Sequence, residues 1–314
     1  MSLFIAVSGW NPQPWVKRLS TRLPDHRVAS HPASDSDLSK VRYALAWKPE
    51  PGLLARCPNL EVIFSLGAGV DHLLSDPHLP DVPLVRVVDP DLTARMSEWV
   101  TLQVLLHHRR QLTYLAQQRA RVWKDYEQAA AHRVRVGILG LGVLGKEAAS
   151  VLVRLGYDVA GWARSRKQVD GAACFAGASE LDDFLARTDI LVNLLPLTDE
   201  TRHLVDHGFL SRLARDGAID GPVFINAGRG GSQVETDLVR ALTDGTLAGA
   251  SLDVFETEPL AATSPLWDLE NVVITPHIAA DSDPEAISDY IAEQILAHEA
   301  GNPLANLVDR NAGY

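Results

Sequence analysis

Three polar clusters in the second half of this chain each stand directly behind a short apolar run. Asn226-Ala-Gly-Arg229-Gly-Gly follows residues 222–226. Leu252-Asp253-Val-Phe-Glu256-Thr-Glu258-Pro closes the run at 248–255. Thr275-Pro-His277 closes the run at 272–275. An arginine between glycines is accessible enough to clamp a carboxylate through two N–H donors. An imidazole just past a strand titrates near neutral pH and can pass a proton. A glutamate beside it, Glu256 or Glu258, favours the protonated ring. Taken singly, each has a plain reading: a surface cation, a solvated loop acid, a capping or core histidine. Taken together, they suit reduction of a 2-oxo acid. Arg229 would hold the carboxylate and polarise the carbonyl, and His277 would supply the proton.

The hydride for such a reaction needs a nicotinamide cofactor, and residues 134–167 carry a site for one. Val134-Arg-Val-Gly-Ile-Leu139 reads as a buried strand. It runs into Gly140-Leu-Gly142-Val143-Leu144-Gly145, and residues 146–155 read as a helix. The first glycine permits the tight turn, the second admits a pyrophosphate to bare backbone, and the third lets helix pack on strand. A second strand follows at 157–162. Where an NAD-selective site carries an acid for the ribose 2′-hydroxyl, this chain has Arg164-Ser165-Arg166-Lys167. Cations and a hydroxyl suit a 2′-phosphate, so NADP(H) is the expected cofactor, with NAD(H) as the alternative. The plain reading of that run is a solvated basic turn. Asp253 would accept from the nicotinamide amide.

The elements that must position these groups alternate between strand and helix, which predicts parallel α/β sheets. In the first part, strands are expected at 3–7, 28–30, 43–47, 61–66 and 84–88. Helical segments are expected at 15–22, 37–40, 52–56 and 70–74. One long helix is predicted at 92–121. Beyond the Gly-rich unit, strands are predicted at 190–195, 222–226, 248–255 and 272–275, with helices at 200–213, 236–244 and 284–300. The last helix is expected to return to the N-terminal part. Two flavodoxin-like or dinucleotide-binding folds result, the second inserted into a discontinuous first. Residues 1–97 and 284–314 would form a substrate domain, and 98–283 a dinucleotide-binding domain.

Composition bounds the partners. With 314 residues, two domains are expected. A net charge of −11 leaves no general basic surface for nucleic acid. Mean hydropathy is −0.02 and no run reaches the roughly 20 apolar residues of a membrane helix. The apolar run from Met1 lacks the basic start of a signal peptide. Cys57 and Cys174 have no metal-ligand spacing and read as two buried, reduced thiols of a cytoplasmic protein, and no metal is expected.

These motifs resemble those of the D-isomer-specific 2-hydroxyacid dehydrogenases along nearly the whole chain. Within that family the chain is most similar to bacterial NADPH-dependent reductases of glyoxylate and hydroxypyruvate. The shared pieces are Tyr43-Ala-Leu-Ala-Trp47, Ser65-Leu-Gly-Ala-Gly-Val-Asp71, Trp162-Ala-Arg-Ser-Arg-Lys167, Asn193-Leu-Leu-Pro196, Ser264-Pro-Leu-Trp267 and Val308-Asp-Arg-Asn-Ala-Gly-Tyr314. The resemblance implies a catalytic set of Arg229, Glu258 and His277, choosing Glu258 because the family's acid precedes Pro. It implies that backbone at Ala68 and Gly69 holds the substrate carboxylate, with Trp47 nearby. Its cofactor site covers Gly140, Gly142, Val143, Leu144, Gly145, the 164–167 run, Leu195, Pro196, Ala227, Gly228 and Asp253. It also implies a homodimer with a closing hinge. Two departures stand out. The arginine loop reads Asn-Ala-Gly-Arg-Gly with an extra glycine, where Asn-Leu-Ala-Arg-Gly is usual, which predicts a looser Arg229. Residues 125–132 are less proline-rich than the family's. The competing functions are oxidation of another 2-hydroxy acid, phosphonate oxidation, a non-catalytic dinucleotide sensor and an oligomeric scaffold.

Overall fold

Val, Ile, Leu and Ala fill the strand segments with few interruptions, the pattern of strands covered on both faces. The computed structural model describes residues 3–30 and 34–314, so Met1 and Ser2, which open the N-terminal apolar run, lie outside the described residues. The chain divides into two units, Met1–Leu92 with Ser282–Tyr314, and Thr93–Asp281. The divisions fall after residues 92 and 281, where the sequence reading sets them after 97 and 283.

In the first unit, β1 (Leu3–Val7), β2 (Val28–Ala29), β3 (Tyr43–Trp47), β4 (Val62–Ser65) and β5 (Leu84–Val85) form a parallel five-stranded sheet in the order β2-β1-β3-β4-β5. This is the flavodoxin-like strand order. The short helices α1 (Gln13–Arg22), α2 (Asp35–Leu38) and α3 (Asp71–Leu74) lie between strands. One face buries Leu3, Ile5, Leu45 and Phe64 with Trp15, Leu19, Ile287 and Ile291. The other buries Phe4, Ala44, Ile63 and Leu73.

In the second unit, α4 (Pro90–His108) and α5 (Gln111–Ala120) lead to β6 (Arg135–Leu139), α6 (Val143–Arg154), β7 (Asp158–Ala163), β8 (Ala173–Ala176), α7 (Leu181–Ala186), β9 (Ile190–Asn193), α8 (His207–Leu210), β10 (Val223–Asn226), α9 (Glu235–Thr243), β11 (Gly249–Leu252) and β12 (Val272–Ile274); α10 (Pro284–Glu299) belongs to the first unit. The seven strands are parallel in the order β12-β11-β10-β9-β6-β7-β8. The order reverses between β6 and β9, the crevice where doubly wound sheets bind ligands. Val136, Ile138, Val192 and Ile225 pack with Met96, Trp99, Val100 and Val104 of α4 on one face. Leu139, Leu191, Phe224 and Leu252 pack with Phe184, Phe209 and Leu238 on the other.

Three expectations are corrected. The helix expected at 92–121 breaks at Arg110, whose φ is +54°. Its guanidinium turns to Asp220, 2.8 Å from Oδ1, and sits 5.5 Å from the Tyr126 ring. These contacts hold a left-handed conformation that normally costs about 1 kcal/mol. The segment 200–213 is mostly not helical. His203 N donates to Gly231 O and Val205 N to Ser232 O, both at 2.9 Å, so this stretch pairs with the arginine loop, and α8 begins only after Asp206 caps it. Cys57 is buried as expected, but Cys174 is only half-buried, because it lies on the outer strand β8. The strand β8 and helix α7 have no counterpart in the sequence reading: Ala-Cys-Phe-Ala carries no β-branched residue, and α7 is under two turns long.

Candidate active site

The Gly-rich turn is shaped by close backbone approach. Gly140 follows β6 at φ +98°, and a Cβ there would stand 2.9 Å from Leu194 O. A Cβ on Gly145 would meet Gly140 O at 1.8 Å, so only glycine lets α6 seat on the turn. A Cβ on Gly142 would meet nothing within 4 Å. That open backbone, at the N-terminal end of α6, is where a pyrophosphate needs room and amide donors. Val143 is exposed and Leu144 half-buried on the first turn of the same helix. Leu195, Pro196, Ala227 and Gly228 follow the neighbouring strands β9 and β10. The backbones of these two loops touch, since a Cβ on Gly228 would lie 2.8 Å from Leu195 O. The residues present thus fit a dinucleotide.

The basic run follows β7, with Arg164, Ser165, Arg166 and Lys167 all exposed. Arg166 is held on its own side of the sheet. Its guanidinium donates to Cys174 O on β8 at 2.5 Å and pairs with Glu180. Glu180 also accepts from Ala176 N at 2.7 Å. That backbone bond, then Arg166, holds the Glu180 carboxyl below its usual range. Glu180, which ties Arg166 to β8, did not figure in the sequence reading. It lies in a short turn with no motif of its own.

Arg229, Asp253, Glu258 and His277 all lie behind the adjacent strands β10, β11 and β12. His277 Nδ1 lies 2.8 Å from Glu258 Oε2, and Glu258 Oε1 accepts from Phe255 N at 3.1 Å. Glu256 faces elsewhere: its Oε1 accepts from Glu235 N at the start of α9. His277 has φ +54°, a left-handed backbone unusual for a β-carbon residue. Asp253 fixes the loop that carries it. Asp253 Oδ1 accepts from Thr275 Oγ1 at 2.5 Å and Ile278 N at 2.9 Å, Oδ2 accepts from Ala279 N at 2.9 Å, and its carbonyl accepts from His277 N at 2.8 Å. Asp253 is 1 % exposed.

The loop of Arg229 is fixed by close packing, where its extra glycine predicts looseness. Gly230 approaches Phe255 so closely that a Cβ would stand 1.9 Å from the Phe255 carbonyl. Asn226 Nδ2 and Ser232 Oγ both donate to Arg229 O, at 3.3 and 2.6 Å. The Arg229 guanidinium donates to Gly228 O at 2.8 Å. Asn193, Ser232 and Gln233, which complete this buried polar set, were also missed. The signal available was two asparagines at the ends of neighbouring strands.

In the first unit, Trp47 ends β3. Its ring lies over Gly67, where a Cβ would come within 2.4 Å, and is flanked by Trp10 at 5.2 Å and His72 at 4.7 Å between ring centroids. Ala68 and Gly69 follow β4 in a turn tied to Ser65 Oγ, which lies 3.0 Å from Gly67 O and 3.3 Å from Gly69 O. Among the described residues, no group of three or more His, Cys, Asp or Glu could hold a metal, and no helix is long and apolar enough to cross a membrane.

Residues 101–279 match the family model for the D-isomer specific 2-hydroxyacid dehydrogenase NAD binding domain. The chain is 41 % identical over 311 residues to glyoxylate/hydroxypyruvate reductase A of Serratia proteamaculans, covering 97 % of each. Among solved structures it is similar to a probable 2-hydroxyacid dehydrogenase from Rhizobium etli in complex with NADP, HEPES and tartaric acid, with TM-score 0.94, 50 % identity and coverage of 100 % and 99 %. It is equally similar in fold to the NADPH-dependent glyoxylate/hydroxypyruvate reductase of Sinorhizobium meliloti in complex with NADP and sulfate, with TM-score 0.94, 47 % identity and full coverage of both chains. A doubly wound parallel sheet, a glycine turn open for a pyrophosphate and this similarity along the whole chain lead to one assignment: the chain belongs to the D-isomer specific 2-hydroxyacid dehydrogenases.

Proposed function

We propose that this enzyme reduces small 2-oxo acids, glyoxylate and hydroxypyruvate among them, with NADPH preferred over NADH. The observation that carries the reading is the His277–Glu258 pair, 2.8 Å apart behind β12 and β11, the two strands that follow β10 of Arg229 across the sheet. A bound NADPH would supply the hydride for C2 of the substrate. Gly142, Val143, Leu144 and the α6 N-terminus would hold its pyrophosphate. Arg164, Ser165, Arg166 and Lys167 would hold its 2′-phosphate. Arg229 pairs with the substrate carboxylate and draws electron density from the carbonyl. His277 donates its Nε2 proton to the carbonyl oxygen as it becomes an alkoxide. Glu258 holds Nδ1, which orients the ring for the transfer.

Asp253 serves first as the clamp on the His277 loop. It would also accept from the nicotinamide amide. Trp47 and the backbone at Ala68 and Gly69 are assigned substrate contacts, which makes the first unit the substrate domain. A cytoplasmic homodimer completes the reading. The test is loss of reduced-cofactor absorbance when the protein is mixed with NADPH or NADH and a panel of 2-oxo acids. Turnover with glyoxylate and hydroxypyruvate, faster with NADPH, is the expected result. No consumption of either cofactor would reject the enzyme assignment.

A further inference from the structure

Asn193, Asn226, Ser232 and Gln233 are each 0 % exposed, yet all four are polar. Asn193 and Asn226 are register partners at the ends of β9 and β10. Asn193 Nδ2 donates to Asn226 Oδ1 at 3.0 Å and to Ser232 Oγ at 2.8 Å. Asn226 Nδ2 donates to Gln233 Oε1 at 2.8 Å as well as to Arg229 O. Gln233 Nε2 donates to Val254 O at 3.2 Å. The next residue, Phe255, donates its N–H to Glu258, which holds His277. Hydrogen bonds therefore run from the Arg229 carbonyl through Asn226 and Gln233 to the backbone that carries Glu258.

A strand end needing only stability would bury apolar side chains here. Each buried amide left without a partner costs about 1–3 kcal/mol, so a polar set persists only when its members are paired. What such a set adds over an apolar core is a fixed geometry, because its bonds have directions that dispersion contacts lack. Gln233 is the member that spans two loops. It faces Asn226 and the Arg229 loop with its carbonyl, and the Glu258 loop with its amide.

We propose that Gln233 is a positioning residue for the reaction, setting Arg229 against the Glu258–His277 pair without touching substrate or cofactor. This rests on the reductase reading above. Hydride transfer tolerates little misplacement, and a shift near 1 Å can cost about a hundredfold.

The experiment compares the full-length wild type with Gln233→Met, close in length but without hydrogen bonds, each also in an Arg229→Ala background. Read out are kcat and KM for glyoxylate, the NADPH dissociation constant and the melting temperature. Gln233→Met is expected to raise KM about tenfold and lower kcat, with NADPH affinity within about twofold of wild type. In the Arg229→Ala background it adds less than about twofold, since both changes act through the same group. A purely structural role would lower the melting temperature while leaving KM unchanged, and would add its full effect in both backgrounds; either result overturns the proposal. Should Gln233→Met fail to bind NADPH, Gln233→Glu and Ser232→Ala take its place. Raised KM at normal NADPH affinity then supports the role, and wild-type constants overturn it. A wild type without turnover rejects the reductase reading, and this inference with it. A wild type with turnover beside unaltered variants rejects this inference alone.

Discussion

His277 meets Glu258 through Nδ1 at 2.8 Å, from a backbone held at φ +54°. A left-handed histidine directs its ring where an extended one would not, and non-glycine residues in that region cost about 1–3 kcal/mol. The loop sustains it with four hydrogen bonds to Asp253, three of them to the carboxylate. With Nδ1 occupied by the glutamate, Nε2 is the nitrogen left to serve a substrate.

His277→Asn is expected to lower kcat about 10²–10⁴-fold, the usual worth of a positioned general acid. NADPH affinity stays within about twofold, because the cofactor turn is untouched. Glu258→Ala removes the partner that orients the ring through Nδ1, and is expected to lower kcat at least about tenfold with NADPH affinity within about twofold. Near-normal turnover in His277→Asn would reject the acid role, and near-normal turnover in Glu258→Ala would reject the orienting role.

Cofactor choice is expected to rest on the run after β7. Arg164→Ala with Arg166→Ala removes two guanidinium groups and raises KM for NADPH by roughly 10–100-fold, with KM for NADH nearly constant. Glu180→Gln frees Arg166 from its ionic partner and is expected to weaken NADPH selectively by a few-fold. Steady-state kinetics with both cofactors decides, and an unchanged preference in the double variant would remove the 2′-phosphate assignment.

Asp253→Ala strands three donors of the His277 loop and should lower kcat at least tenfold. The clamp and the nicotinamide acceptor make different marks. Loss of kcat at unaltered NADPH affinity identifies the clamp, whereas a matching loss of NADPH affinity identifies cofactor contact. Wild-type values of both would exclude either role.

His107, on α4, packs against Gly249 and has Nε2 2.9 Å from Ser251 Oγ. Although its edge retains some surface access, burial pushes the imidazole down from 6.5 to about 4. A histidine depressed in the folded state stabilises the fold fully above the unfolded value. As pH falls from about 6.5 to 4, the unfolded chain takes the proton first, and no more than about 3 kcal/mol is lost. Urea unfolding at pH 7 and pH 4.5 should show that loss in the wild type and a smaller one in His107→Gln. Equal losses in both would discard this account.

Much of the fold is local in origin. Parallel strands covered on both faces must be apolar throughout, so β6, β9, β10 and the strands of the first sheet show in the composition of their segments. The breaks are not local. Residues 92–121 have helical periodicity, yet Asp220 and Tyr126, far along the chain or beyond the next helix, draw Arg110 out of it. Residues 200–213 are helical by propensity, but backbone bonds to Gly231 and Ser232 bind part of them to the arginine loop.

The sequence by itself determined the glycine turn, the basic run behind β7 and the three polar groups at strand ends, because each depends on residue type at fixed spacing. Tertiary structure decided that Glu256 turns away from His277 to Glu235, that Asp253 clamps the loop beyond β12, and that Gln233 ties the Arg229 loop to the Glu258 loop. Those relations join residues on different strands. Only the register of parallel strands, set by packing across the whole sheet, brings their ends side by side.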